Sequence, residues 1–423
     1  MNIYTVKSGD TLQSIAEQFN VSPQFIINTN FPPNPDNLVI GQDFVILTPE
    51  VTHTVKSGDT LQSIANMHNV SINQLYRNNP SVIGRNLYPN ETVVITYTDT
   101  PEQTVATNGY AYTTIDRTYL LRALPYLTFL TIFTYGFTNN GDLVYANDDE
   151  LIAIAKEYGA VPTMHLSTLT AEGVFSSQLA SLILNNEYSQ EQLINNIIYN
   201  MQLKGYGALD IDFEYLPVVD KDKYIAFVSN LAKRLNELGY PLLIALAPKT
   251  STNQPGLLYE SHDYYGLGNA ANLALLMTYE WGYSYGPPMA VAPINNVENV
   301  IKYGLTQIPS GKILMGVPLY GYDWNLPYQQ GTRARSLSPQ EAIELAAAYN
   351  VTIEYDEIAQ SPYFYYTNQY GEHVVWFENA KSINAKMNIV NGYNLAGTGY
   401  WNIDRYFPQN WLILNSRFKI ARL

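Results

Sequence analysis

Between residues 207 and 215 the chain reads Gly207-Ala208-Leu209-Asp210-Ile211-Asp212-Phe213-Glu214-Tyr215. In an extended backbone successive side chains point to opposite faces. Leu209, Ile211, Phe213 and Tyr215 therefore share one side, and Asp210, Asp212 and Glu214 share the other. Taken alone, the nine residues fit equally well an edge strand with its carboxylates in water. The flanks favour a different setting: helical patterns at Gln190 to Leu203 and Asp222 to Leu238 imply a parallel strand covered on its apolar face. The acids then turn toward the inside of a barrel.

Working outward, β-branched and aromatic runs alternate with helical patterns from Thr107 onward. Strands are expected at Asn108 to Ile115, Tyr126 to Tyr135, Ala160 to Leu166, Ala208 to Glu214, Leu242 to Ala247, Asn272 to Tyr279, Lys312 to Val317 and Gly397 to Trp401. Further helices are expected at Asp149 to Tyr158, Ile294 to Gln307 and Asn379 to Val390. This alternation predicts an α/β protein with a (β/α)8 TIM barrel over residues 107–423. Residues 323–377, between the last two strands, exceed an ordinary loop and predict an inserted subdomain.

Ahead of the barrel lies a repeat. Thr5 to Ala16 reads TVKSGDTLQSIA and Thr54 to Ala65 reads the same, an offset of 54 − 5 = 49 residues that holds through Val45-Ile46 and Val94-Ile95. Two small modules, 1–48 and 49–97, follow from it. Each reads as a βααβ unit: a strand at Tyr4 to Val6, a turn at Ser8 to Thr11, and a helix carrying Leu12, Ile15 and Ala16, capped by Asp10 or Thr11. A second helix follows near Pro23 to Asn28 and a closing strand near Phe44 to Ile46. Polar residues 98–106, including Pro101, read as a linker.

Composition removes several function classes. Charged residues make up only 14% of the 423, and 23 basic against 37 acidic residues give 23 − 37 = −14. That balance argues against nucleic acid and anionic membrane surfaces as partners. Cysteine is absent, which removes thiolate zinc sites and cysteine nucleophiles. The five histidines are scattered without an i,i+4 pair and read as ordinary surface or core residues. No apolar run is long enough to span a bilayer, and Met1 to Asp10 shows no basic and then apolar leader. No cofactor and no metal are expected. Magnesium or calcium is disfavoured at the three acids, because inward residues of one strand cannot surround an ion.

Carboxylates inside a barrel are costly to ionise and imply use. Two positions apart on a strand, charges stand roughly 7 Å apart and repel by roughly 2 kcal/mol at an effective dielectric of about 20. Glu214, at the C-terminal strand end where barrel active sites lie, is thereby expected to rise from about 4.3 towards about 6. A carboxylic acid protonated near neutrality beside a carboxylate suits glycosidic-bond cleavage.

Asp210 to Tyr215 resembles the DxxDxDxE signature of family 18 glycoside hydrolases, and the resemblance runs through residues 107–423. Met277-Thr278-Tyr279-Glu280 is similar to the family's MxYD, and Trp401 to its terminal tryptophan. The resemblance implies a retaining, substrate-assisted mechanism in which Glu214 is the acid/base, Asp212 orients the 2-acetamido group and Tyr279 donates to it. Asp210, Tyr215, Met277, Glu280, Trp281 and Trp401 are expected to contact substrate, with Trp401 as the sugar floor and Trp281 as a cleft wall. Three features depart from the family pattern. Gly207 replaces the first acid, Glu280 replaces Asp, and His165-Leu166-Ser167-Thr168 stands where SxGG is expected.

The repeats resemble LysM domains, which implies binding of N-acetylglucosamine polymers. Their matching positions are Gly9, Asp10 and Thr11 with Ile40 and Gly41, and Gly58, Asp59 and Thr60 with Tyr88 and Pro89. The combination, with the Met277 to Pro288 loop, resembles spore cortex-lytic N-acetylglucosaminidases of endospore-forming bacteria. Peptidoglycan is the implied partner, and a spore coat or cortex location is implied with it. A chitinase of the same mechanism and a catalytically silent wall-binding protein are the alternatives.

Overall fold

The computed structural model describes residues 1–423. Eight parallel strands close into a ring: β1 (Gln103–Tyr112), β2 (Phe129–Phe137), β3 (Val161–Ser167), β4 (Ala208–Asp212), β5 (Leu242–Leu246), β6 (Leu273–Leu276), β7 (Ile313–Pro318) and β8 (Gly397–Trp401). β8 returns to β1 through the pairs Gly397↔Ala106 to Tyr400↔Gly109. The expected barrel is therefore present. Several limits differ from the sequence reading by a few residues, and two of them matter here. β1 starts at Gln103, so residues 103–106 belong to the sheet and only 98–102 connect. β4 ends at Asp212, leaving Glu214 on the loop that follows.

Inside and outside follow the period of two. Leu209, Ile211 and Phe213 are buried in the large core between sheet and helices, whereas Ala208 joins Tyr110, Phe129, Leu243, Ala245, Leu275 and Leu314 in the small cluster inside the ring. Phe213 stacks on Tyr224 and Phe227 of the helix Lys221–Glu237, with ring centroids 5.7 and 6.1 Å apart. These outer contacts leave Asp210 nowhere to point but inward.

The insertion is a five-stranded antiparallel sheet spanning Gly321 to Trp376, with the helix Pro339–Ala348 packed on it. Its strands run in the order Arg335–Leu337, Gly321–Leu326, Gly371–Trp376, Ser361–Asn368, Glu354–Asp356.

Both repeats form βααβ units. Thr11 and Thr60, not Asp10 and Asp59, cap the first helices, each in a reciprocal box with Ser14 or Ser63. Asp10 instead accepts from the Lys7 backbone N–H and the Tyr4 hydroxyl, tightening the turn. Seven apolar residues fill the first module and six the second. At roughly 1.5–3 kcal/mol per buried side chain, such cores are marginal for independent folding.

Docking supplies the rest. Val45 and Leu47 enter the barrel's core, and Phe31 packs on Tyr406 with the Arg122 guanidinium over its ring. The second module is held by its helix Ile72–Asn78. There Arg77 donates to the Pro125 carbonyl and Tyr126 donates to the Arg77 carbonyl, while Asn73 donates to the Tyr158 carbonyl.

Candidate active site

β4 pairs with β3 in a register that sets His165 opposite Asp210 and Ser167 opposite Asp212. The imidazole Nε2 lies 3.6 Å from Oδ2 of each aspartate, and the side chains of His165 and Asp210 are fully buried. At that separation the pairs are electrostatic and fall short of hydrogen bonds. On the other edge of the ring, His165 Nδ1 is 2.7 Å from the Thr134 hydroxyl, which also contacts the Ser167 hydroxyl at 2.8 Å. Phe133 and Tyr110 pack against the ring with centroids 4.7 and 5.8 Å away.

Asp210 has no hydrogen-bond partner on either oxygen. Burial pushes its carboxyl up to about 6; His165 opposes that rise and Asp212 adds to it. The Tyr110 hydroxyl eases its ionisation without reaching a well-formed bond. Glu214 is pushed further, to about 8, and burial is the larger cause with Asp212 second. The direction matches the sequence expectation, but its order of causes does not: desolvation outweighs carboxylate repulsion.

Two buried histidines that sequence reasoning treated as ordinary turn out to position this column. Besides His165, His262 accepts from the Ala247 N–H at Nδ1 and donates from Nε2 to the Phe213 carbonyl at 3.0 Å. Burial lowers its pKa, so the ring is neutral and pins the residue before Glu214. Neither role has a local signal, because both depend on partners about fifty residues away in sequence.

Tyr279 follows β6 and is 9% exposed; burial above all, and then Asp212, Glu214, Glu280 and Asp210, raise its pKa far above that of a free phenol. Met277 and Trp401 border the cluster inside the ring. Trp401 is half-buried and its ring meets Phe133, Tyr110 and Tyr112 at 5.2, 5.7 and 6.1 Å. Tyr215, at φ 56° and 50% exposed, leaves the strand's apolar face and stands outside the column. Glu280 accepts from the hydroxyls of Tyr320 and Tyr322 at 2.5 and 2.9 Å. Trp281 is half-buried and donates its backbone N–H to Val291.

The insertion holds the loop from Glu280 to Pro288. Trp324 donates to the Gly286 carbonyl, Tyr328 to the Tyr285 carbonyl, and the Ala334 N–H to the Ser284 carbonyl. A cavity of about 720 Å³ lies between the two modules and includes no member of the acid column. The buried acids, and not this cavity, mark the chemistry.

The profile described as glycosyl hydrolases family 18 matches residues 94–405, and that of the LysM domain matches 4–46 and 53–96. The chain belongs to glycosyl hydrolases family 18. This family 18 protein is 41% identical over 430 residues to the cortical fragment-lytic enzyme of Bacillus subtilis, covering 100% of this chain and 99% of that one. Its fold superposes on the crystal structure of the Bacillus megaterium spore cortex-lytic enzyme SleL with a TM-score of 0.85. Identity there is 40%, with 100% and 99% of the two chains covered. A chitinase from Chromobacterium violaceum is 23% identical with a TM-score of 0.69, covering 74% of this chain and 98% of that one, and shares the fold. As a family 18 member the protein is a glycosidase carrying two LysM modules.

Proposed function

We propose that this glycosidase cleaves β-1,4 bonds of N-acetylglucosamine in spore cortex peptidoglycan during germination, outside the cytoplasm, with its N-terminal repeat bound to the glycan. The reading of the chemistry rests on one observation: Glu214 stands just beyond β4, beside Asp212 and the fully buried Asp210, where burial pushes its carboxyl up to about 8. The choice of cortex rests on full-length similarity to proteins named for it.

The chemistry proceeds as follows. Glu214 gives its proton to the glycosidic oxygen as the C1–O bond breaks, and the substrate's own acetamido carbonyl oxygen bonds to C1. Asp212 faces the oxazolinium that results, with Asp210 and His165 behind it, and Tyr279 donates to the acetamido group. Water then attacks C1, Glu214 takes back a proton, and configuration is retained. Trp401 offers its ring as the sugar floor, with Met277, Tyr215, Glu280 and Trp281 around the cleft.

Mass spectrometry of fragments released from purified cortex, with chitin in parallel, tests this. New N-acetylglucosamine reducing ends from cortex are expected, lost in Glu214→Gln. Rapid cleavage of chitin with inert cortex would make the protein a chitinase, and hydrolysis persisting in Glu214→Gln would remove Glu214 from the mechanism.

A further inference from the structure

The two modules share a sequence but not a surface. The 49-residue offset sets Val39, Ile40, Gly41 and Gln42 against Tyr88, Pro89, Asn90 and Glu91. The structure agrees, since the Gly41 N–H donates to Val6 and the Asn90 N–H to Val55. Ile40 and Gly41 thus match Pro89 and Asn90, one position beyond the pairing expected from sequence. In both loops a side chain closes back on the backbone: Gln42 accepts from the Val39 N–H at 3.2 Å and Glu91 from the Tyr88 N–H at 3.0 Å.

In the first module this loop is already occupied. The Ile40 carbonyl accepts from the Ile353 N–H of the insertion at 2.9 Å. A Cβ on Gly41 would stand 1.9 Å from the Ile353 carbonyl oxygen. Val39 is buried in the insertion's core with Leu337, Phe364 and Phe377. Only the Ile40 side chain keeps notable exposure, at 41%. No sugar ring fits where two backbones are in hydrogen-bond contact.

In the second module the same loop is open. Tyr88 replaces Val39 and is 62% exposed, and Pro89 and Asn90 are exposed beside it. Gly58 and Thr60 are exposed on the facing turn, with Asp59 half-buried. Glu91 also accepts from Arg85, so the wall that carries the Tyr88 ring is braced before any ligand arrives. An exposed aromatic ring on a braced, polar loop is suited to stacking on a sugar face.

We propose that glycan binding by the repeat belongs to the second module alone, between Gly58–Thr60 and Arg85–Asn90 with Tyr88 as the stacking ring. The first module's equivalent wall is used up in holding the insertion. The ligand is an N-acetylglucosamine polymer, so the inference rests on the reading of the repeats as glycan binders.

Calorimetric titration of the full chain carrying Glu214→Gln with penta-N-acetylchitopentaose tests it. Two sites per chain are expected, one in the barrel and one in the second module. Tyr88→Ala should weaken the module site about tenfold. Ser57→Trp, which fills the second module's turn, should abolish it, and the matched Ser8→Trp should change neither site. Three sites, or loss with Ser8→Trp while Ser57→Trp is silent, would overturn the single-module assignment and leave a glycan-binding repeat standing. One site indifferent to every variant would remove the glycan-binding repeat, and the assignment with it. Because Tyr88→Ala trims an exposed side chain, it separates a lost contact from a misfolded Ser57→Trp module.

Discussion

His165 Nε2 lies 3.6 Å from Asp210 Oδ2, and water reaches neither side chain. No other basic group comes within 4.0 Å of Asp210 or Asp212. Replacing His165 with Gln removes the one influence that most lowers the Asp210 pKa, so Asp210 should take up a proton more readily. We expect kcat on cortex fragments to fall about 10- to 100-fold, with KM changed by less than about threefold. The acid limb of the kcat profile should move to higher pH. A uniform loss of folded protein would lower the apparent rate without moving that limb.

Glu214 is pushed up to about 8, mainly by burial. A general acid works only while protonated, so kcat/KM should hold through neutrality and fall as pH rises past that value. Asp212 is the second cause of the rise. Asp212→Asn should therefore bring the Glu214 titration down in a 13C-labelled carboxyl experiment, though not to an ordinary carboxylate value, because burial remains. A titration unmoved by Asp212→Asn would mean that the two carboxylates do not sense each other.

Asp43 is buried between the first module and the barrel, and burial raises its carboxyl to about 6 from an ordinary 3.8. A carboxyl raised in the folded state favours folding below its unfolded value, and that contribution is lost as pH rises through the folded value. The window here is about pH 4 to 6. Asp43 accepts from the Thr5 hydroxyl at 2.7 Å and the Lys381 N–H at 3.3 Å. An Asn side chain can keep both contacts by accepting from Lys381 and donating to Thr5. Asp43→Asn should stabilise the protein by about 3 kcal/mol at pH 7 and by nothing measurable well below pH 4. Chemical unfolding at both pH values checks this.

What the sequence revealed is what its local periodicity encodes. The alternation from Ala208 to Glu214 placed the acids on one face, and the 49-residue offset delimited the modules. The eight strands lay within a few residues of their expected places, except that β1 began earlier. What stayed hidden depends on register and depth. His165 meets Asp210 only because β3 and β4 pair as they do, and the dominance of burial over charge repulsion at Glu214 depends on how deep the column lies. The departure from SxGG at His165 to Thr168 was visible, but its consequence was not. Docking of the modules was equally invisible, since Gly41 and Ile353 are 353 − 41 = 312 residues apart.

Gly41 offers the sharpest test of that docking. Its φ is 88°, which favours glycine, and the Ile353 carbonyl oxygen stands 1.9 Å from where a Cβ would be. Asn90, its counterpart, has φ 73° and is exposed, so the second module needs only a residue that tolerates the left-handed region. Gly41→Ala therefore meets both backbone strain and a collision, while Asn90→Ala meets strain alone. We expect about 3 kcal/mol of destabilisation from the first and about 1 kcal/mol from the second. Limited proteolysis should open the Ile353 segment in Gly41→Ala and leave it protected in Asn90→Ala. Equal costs for the two substitutions would mean that the loop does not bear on the insertion in solution.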